Sequence, residues 1–274
     1  MKSLLLLALS AGLAGAQTHV LVPAGDHRLD VVREGAGGPA VIFETGLADS
    51  LDVWLPMLRM MSEYTTVVAY SRAGLGRSDP GSGDHSVPQA VTDLHELLHR
   101  LAITPPYILV ARSYGSLIAR LYVSRYPGDV AGIVLVDGTH EQQVRRWGAI
   151  DSTYPRKFRQ YFDSVLAGMK PGPEAAETRE TVRIQAAGTV PGLTPLPDIP
   201  MAIVTSMRSD ESAPYVNGTA RGHEIWRALH DEWFRRSRNA IHIQTTRSGH
   251  GIQDDEPALV AMAIRFVLDR VRAQ

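Results

Sequence analysis

The sequence predicts one α/β domain built on a mostly parallel twisted sheet with helices on both faces. Three observations carry that expectation. Short apolar, β-branched runs alternate along the chain with longer stretches whose apolar residues recur at helical spacing. The run at 107–110 passes into a helical stretch at 116–123 through Ala111-Arg112-Ser113-Tyr114-Gly115, a sharp strand-to-helix switch carrying a serine. With 274 residues, 44% of them hydrophobic, the chain can bury one large core but not two comfortable ones.

Taken in order, residues 1–16 read as an export signal peptide. Lys2 is its basic start, 4–9 and 11–14 form a short apolar core, and Ala14-Gly15-Ala16 places small residues at the cleavage site. The apolar stretch is too short for a comfortable membrane span. The mature chain is expected to begin near Gln17, to be exported to the periplasm or secreted, and to have no membrane insertion once the leader is removed. Residues 17–274 make the domain. Stretches 19–22 and 28–32 read as strands around the turn Ala24-Gly25-Asp26, and 40–43 as a third strand ending in Glu44-Thr45-Gly46-Leu47. A helical stretch around 53–61 precedes a strand at 65–70. The loop from Arg72 to Gly81 is dense in turn residues, and a helix over about 87–101 leads into the strand before Ser113. Residues 133–136 form another core strand, closed by Asp137-Gly138.

From about 139 to 200 the chain changes character. Trp147, Tyr154, Phe158, Tyr161, Phe162 and Met169 interleave with Arg145, Arg146, Arg156, Lys157 and Arg159, and a Pro/Gly-rich exit follows. This segment reads as a helical lid inserted between two strands. Strands resume at 201–205 and 241–245, and an amphipathic helix over 257–271 closes the chain.

Composition removes several function classes. A formal net charge of −1 and the lack of a basic stripe argue against nucleic acid as a partner. With no cysteine there is no thiolate metal site, disulfide framework or cysteine nucleophile.

Four segments then occur in an order that resembles the α/β-hydrolase family, over nearly all of the mature chain apart from the insert. They are Thr45-Gly46-Leu47, where most members have His-Gly-X; Tyr70-Ser71-Arg72-Ala73-Gly74-Leu75-Gly76-Arg77-Ser78, similar to the family's Tyr-Asp-Arg-X-Gly-X-Gly-X-Ser loop; the turn around Ser113; and Ser248-Gly249-His250-Gly251-Ile252-Gln253-Asp254-Asp255-Glu256-Pro257, similar to the late loop that carries a histidine. The resemblance implies a nucleophile elbow at Ser113. A serine hydroxyl is a weak nucleophile at neutral pH and needs a base in hydrogen-bond reach, itself oriented by an acid. His250 is the expected base. Two aspartates are candidates for the acid: Asp137, in the tight turn after the strand that follows the elbow helix, is preferred, and Asp210, after the next strand, is the alternative. The backbone amides of Leu47 and Tyr114 are expected to form the oxyanion hole. Ala111 stands where the family commonly has Gly, Ser71 where it has Asp, and Arg112 where it often has His; Arg112 would set a cation beside the nucleophile and favour anionic substrates.

The expected function is an exported serine hydrolase that cleaves a carboxylic ester or related acyl bond of a small molecule through an acyl-enzyme, with no cofactor and no metal. A prolyl-type aminopeptidase or amidase on the same triad is the alternative, its lid acids Glu141, Glu174, Glu177 and Glu180 being available to hold an amine. Two further readings belong to other classes. His95-Glu96-Leu97-Leu98-His99 matches the HExxH zinc-protease pattern, but Ala102 and Pro105 stand where the metzincin extension needs Gly and His. Leu94, Leu97, Leu98 and Leu101 form that helix's buried stripe and place both histidines on its polar face. A hydrolase fold retained as a non-catalytic binding module is the other.

Overall fold

The computed structural model describes residues 17–274, and the expected signal peptide at 1–16 lies outside the described residues. Strands β1 (Val20–Ala24) and β2 (His27–Glu34) form a hairpin across Gly25 and Asp26, with Gly25 at φ +62, a left-handed conformation that glycine adopts at little cost. Pro23 sits in β1, the edge strand, where its missing N–H removes no ladder bond from the sheet interior. After β3 (Val41–Glu44) come a short 3-10 turn (Leu51–Trp54), α1 (Leu55–Met61) and β4 (Val67–Tyr70). Helix α2 (Val87–Arg100) is capped by Ser86, whose hydroxyl accepts from the Gln89 amide at 3.3 Å. β5 (Tyr107–Arg112), α3 (Gly115–Arg125) and β6 (Val130–Val136) follow.

The segment between β6 and the next strand holds three helices, α4 (Gln143–Gly148), α5 (Tyr154–Gly168) and α6 (Pro173–Ala187). β7 (Met201–Ser206), α7 (Ala220–Phe234), β8 (Ala240–Thr245), the short α8 (Ile252–Asp255) and α9 (Pro257–Arg272) complete the chain. Among the described residues no helix is long and apolar enough to cross a membrane.

The eight strands form one sheet in the order β1-β2-β4-β3-β5-β6-β7-β8, antiparallel at β1/β2 and β2/β4 and parallel elsewhere. The inner strands are buried on both faces, so successive residues feed two different cores. Ile42, Leu109, Leu135 and Ile203 pack on the face covered by α2, α3 and α7, while Phe43, Val110, Val134 and Val204 pack under α1 and α9. This is why these strands are near-continuous runs of Val, Ile and Leu rather than alternating ones. The strand order turns back between β3 and β5, and in open parallel sheets the crevice beyond the carboxyl ends at such a point is where ligands bind.

Candidate active site

Three segments meet at that crevice because of register. Glu44 of β3 pairs with Ala111 of β5, and Arg112 with Val136 of β6, so residues 45–48, Ser113 and Asp137 emerge side by side. Ser113 has φ +49, a conformation that non-glycine residues hold only when their surroundings impose it. Its amide donates to the Val136 carbonyl at 3.1 Å, and its carbonyl accepts from Thr139 at 2.9 Å and Ser116 at 3.0 Å. Gly115 lets the start of α3 close on β3: a Cβ there would lie 2.4 Å from the Thr45 carbonyl oxygen.

His250 stands between the two other predicted groups. Its Nε2 is 2.8 Å from Ser113 Oγ and its Nδ1 is 2.6 Å from Asp137 Oδ2. The loop holding it is anchored by Ser206 Oγ, which donates to the Ser248 carbonyl at 2.8 Å, and by Thr245 Oγ1, which donates to Glu256 at 2.5 Å. The second oxygen of Asp137 accepts from the Ser206 amide at 3.0 Å and from Trp226 Nε1 at 2.8 Å. Burial works against the Asp137 carboxylate, but hydrogen bonding and charge from His250, with the Trp226 bond and His230 nearby, hold it below the ordinary aspartate range. Asp137 itself sits at φ +43, and the next carbonyl, of Gly138, accepts from His230 Nε2 at 2.8 Å. Asp210 is not brought to this place: it lies on the exposed loop after β7 and binds the Ser212 amide and hydroxyl at 2.8 and 2.6 Å.

Among the described residues neither the Leu47 nor the Tyr114 amide donates to a protein acceptor, and both residues line a cavity of about 670 Å³ that opens onto Ser113 and His250. The inserted helices supply one wall with Trp147, Tyr154, Phe158, Tyr161 and Phe162, and the β7–α7 segment supplies Arg208, Tyr215 and Asn217. Trp147 ties the insert down by donating from Nε1 to the Gly222 carbonyl at 2.9 Å and stacking on Trp226 at 5.4 Å.

Several sequence expectations need correction. Arg112 does not present a free cation beside Ser113, because it is ion-paired with Asp49. None of the four insert glutamates lines the cavity. Glu141 pairs with Arg120 at 2.8 Å, Glu177 with Arg72 at 2.5 Å and Glu180 with Arg183 at 2.6 Å, while Glu174 is exposed. Among the described residues Asp137 is the single carboxylate on the cavity wall, whereas Lys157 and Arg208 both reach it; Lys157 is paired with Asp151 at 3.3 Å. The polar-face placement of His95 also fails: its ring stacks on Tyr126 at 3.8 Å and Nδ1 lies 3.0 Å from the Tyr122 hydroxyl, in the seam between α2 and α3. His99 is exposed, and Glu96 points to Arg100 at 3.8 Å. Among the described residues no group of three or more His, Cys, Asp or Glu side chains converges as a metal site. His230 of α7 is fully buried, with Nδ1 2.6 Å from Thr205 Oγ1.

The sequence assigns no role to Trp226, Arg208 or Arg72, and reads Glu177 only as a lid acid, not as the buried partner of Arg72. Arg72 lay in plain view inside the glycine-rich loop motif; Trp226 and Arg208 carry no local pattern that could have marked them.

The model of a protein family described as alpha/beta hydrolase fold matches residues 39–245. The chain is 25% identical over 232 residues to the uncharacterized protein YqjL of Bacillus subtilis (strain 168), covering 85% of this chain and 84% of that one. A thermophilic esterase from Thermogutta terrifontis, solved with malate bound, superposes with a TM-score of 0.63 at 16% identity over 94% of this chain and 99% of its own. The enol-lactonase from Burkholderia xenovorans LB400 gives a TM-score of 0.61 at 16% identity over 91% and 99%. At such identities these two likenesses are likenesses of fold.

Proposed function

The chain belongs to the α/β-hydrolase fold family and is a hydrolase, and on that premise we propose that it is a serine hydrolase cleaving a carboxylic ester or related acyl bond through an acyl-enzyme. The observation that carries this reading is the unbroken line from Asp137 Oδ2 through the His250 ring to Ser113 Oγ, at 2.6 and 2.8 Å. A carboxylate at Nδ1 accepts only from an N–H, so the neutral ring bears its proton there and leaves Nε2 free to accept from the serine hydroxyl. Ser113 then attacks the acyl carbon as His250 takes its proton. The tetrahedral oxyanion is met by the free amides of Leu47 and Tyr114, the latter at the N-terminus of α3, where the helix dipole adds to the attraction. His250 returns the proton to the leaving group, and water repeats the sequence to release the acid.

The cavity wall supports a substrate with an apolar or aromatic portion, neutral or negatively charged. Its one carboxylate is bound to His250, and among the described residues the Arg208 guanidinium has no carboxylate within 4.0 Å. Holding a substrate ammonium would call for an unpaired anion, and among the described residues the cavity wall presents none, which favours the ester reading over the aminopeptidase alternative. Two solved structures of the same fold are named an esterase and an enol-lactonase. Export belongs to the proposal as well, resting on the composition of residues 1–16; N-terminal sequencing of secreted material should start near Gln17.

The test is a panel on purified protein: neutral aryl esters of increasing chain length, half-esters of dicarboxylic acids, and a prolyl-arylamide, with labelling by a fluorophosphonate. Ser113→Ala should lose turnover and labelling while keeping the wild-type fold. Undiminished turnover in folded Ser113→Ala would overturn the serine mechanism, and preference for the prolyl-arylamide would overturn the substrate class.

A further inference from the structure

Resting on the serine-hydrolase reading above, we propose that Arg72 and Glu177 form a clamp that aims the oxyanion-hole amide of Leu47, which makes insert helix α6 a working part of the site rather than a cover over it.

The residues around Leu47 are held from both sides. Arg72 is nearly fully buried and uses all three guanidinium nitrogens. Nη2 donates to the Gly46 carbonyl at 2.6 Å, and Nη1 to Glu44 Oε1 at 2.6 Å, the Thr45 carbonyl at 3.0 Å and Thr45 Oγ1 at 2.7 Å. Nε and Nη2 also form a two-pronged bond to Glu177, at 2.5 and 2.8 Å. Glu177, equally buried and carried on α6, in turn accepts the Ala48 amide on Oε2 at 3.0 Å.

Peptide geometry converts these contacts into aim. The Gly46 carbonyl and the Leu47 N–H share one planar trans unit and point in opposite directions. Gripping the carbonyl from the Arg72 side therefore turns the N–H away from Arg72 and leaves it without an internal acceptor, on the cavity wall beside Ser113. The following peptide is set by the Ala48–Glu177 bond, and Ala48 has φ +57, a strained conformation that persists only where neighbouring contacts impose it. Arg72 also packs its guanidinium 5.4 Å from the centre of the Tyr114 ring, so the residue bearing the second amide rests on the same group.

Stability alone does not account for this arrangement. A buried ion pair is often no better than well-packed apolar side chains of similar volume, because desolvation offsets the attraction. What apolar side chains cannot do is hold three consecutive backbone groups of a strained loop in fixed directions. An oxyanion hole works through such preorganisation, and a donor aimed away from the oxyanion loses most of its value.

The experiment compares Glu177→Gln with Glu180→Gln, a control on the same helix whose carboxylate pairs with Arg183. For each, kcat and KM are measured with a neutral aryl ester, together with the affinity for an aryl boronic acid, which forms a tetrahedral adduct on serine, and for a non-hydrolysable ether analogue of the substrate. Glu177→Gln should lower kcat roughly tenfold to a hundredfold, less than the loss of a whole oxyanion donor. It should weaken the boronic acid in proportion and leave KM and ether binding within about twofold. Glu180→Gln should match wild type. An unchanged kcat, or a change confined to KM, overturns the clamp. If Glu177→Gln does not fold, Arg72→Lys is judged by the same readouts, since an ammonium cannot replace the planar fork. Failure of the underlying mechanism shows separately, as wild-type protein that neither turns over the ester nor binds the boronic acid.

Discussion

Replacing Asp137 by Asn should reduce kcat about ten-thousandfold, and the structure gives the reason the loss is so large. The change is nearly isosteric, so the outcome depends on which way the new amide faces. Oδ1 of Asp137 accepts two hydrogen bonds, from the Ser206 amide and Trp226 Nε1, while Oδ2 faces His250 Nδ1 at 2.6 Å. An asparagine must keep its oxygen toward the two donors, which leaves its NH₂ against the imidazole. The ring can then satisfy that NH₂ only by accepting at Nδ1, which moves the ring proton to Nε2. A protonated Nε2 cannot take a proton from Ser113. Four decades in rate correspond to about 5 kcal/mol of lost transition-state stabilisation, more than one ordinary hydrogen bond supplies, because the whole base function is lost. The assay is kcat for a neutral aryl ester, with circular dichroism to show that the fold is kept. Asp210→Asn is the matched control; its carboxylate serves only its own exposed turn at Ser212, and kcat should stay within about twofold, as expected for a surface change. A folded Asp137→Asn protein retaining a tenth of wild-type kcat would refute the reasoning, and a loss at Asp210 instead would move the acid to the β7 loop.

Stability should fall as pH falls from about 6.5 toward 4. Burial pushes His230 down to about 4 and His140 down to about 3, so the folded chain keeps both neutral where the unfolded chain binds protons near 6.5. More protons on the unfolded side mean that stability rises with pH through this window. Asp137 acts lower: its folded value is depressed, so its contribution is present above 3.8 and is lost as pH falls below it. Calorimetric Tm values at about pH 7 and about pH 4.5 check this, and equal values would contradict it. Chelator dialysis should leave ester turnover unaltered. His99→Ala should behave as a surface change, whereas His95→Ala should cost about 1 kcal/mol through loss of its stack on Tyr126; zinc bound stoichiometrically and lost with activity in the double variant would reverse this reading.

The alternation of elements and the place of the elbow are legible in the chain before any folding is considered. Both are local: apolar period reports which faces are buried, and a serine in a strand-to-helix turn is visible within nine residues. The order of segments also pointed to the family, because loops that meet at one sheet edge recur in a set order along the chain. Which side chains meet is set by how the elements pack. Asp137 and Asp210 each follow a strand, and the tight turn at Asp137 gives no more than a preference; the β6–β7 register and the reach of Trp226 from α7 separate them. Arg112 reads as a free cation until Asp49, 63 positions away, closes on it. Glu177 reads as a lid acid until α6 folds down and Arg72, 105 positions earlier, takes it. Charge pairing over such separations leaves no periodicity in the chain. It is set by which elements the packed core brings within a few ångströms, and that distance is a property of the fold, not of any segment.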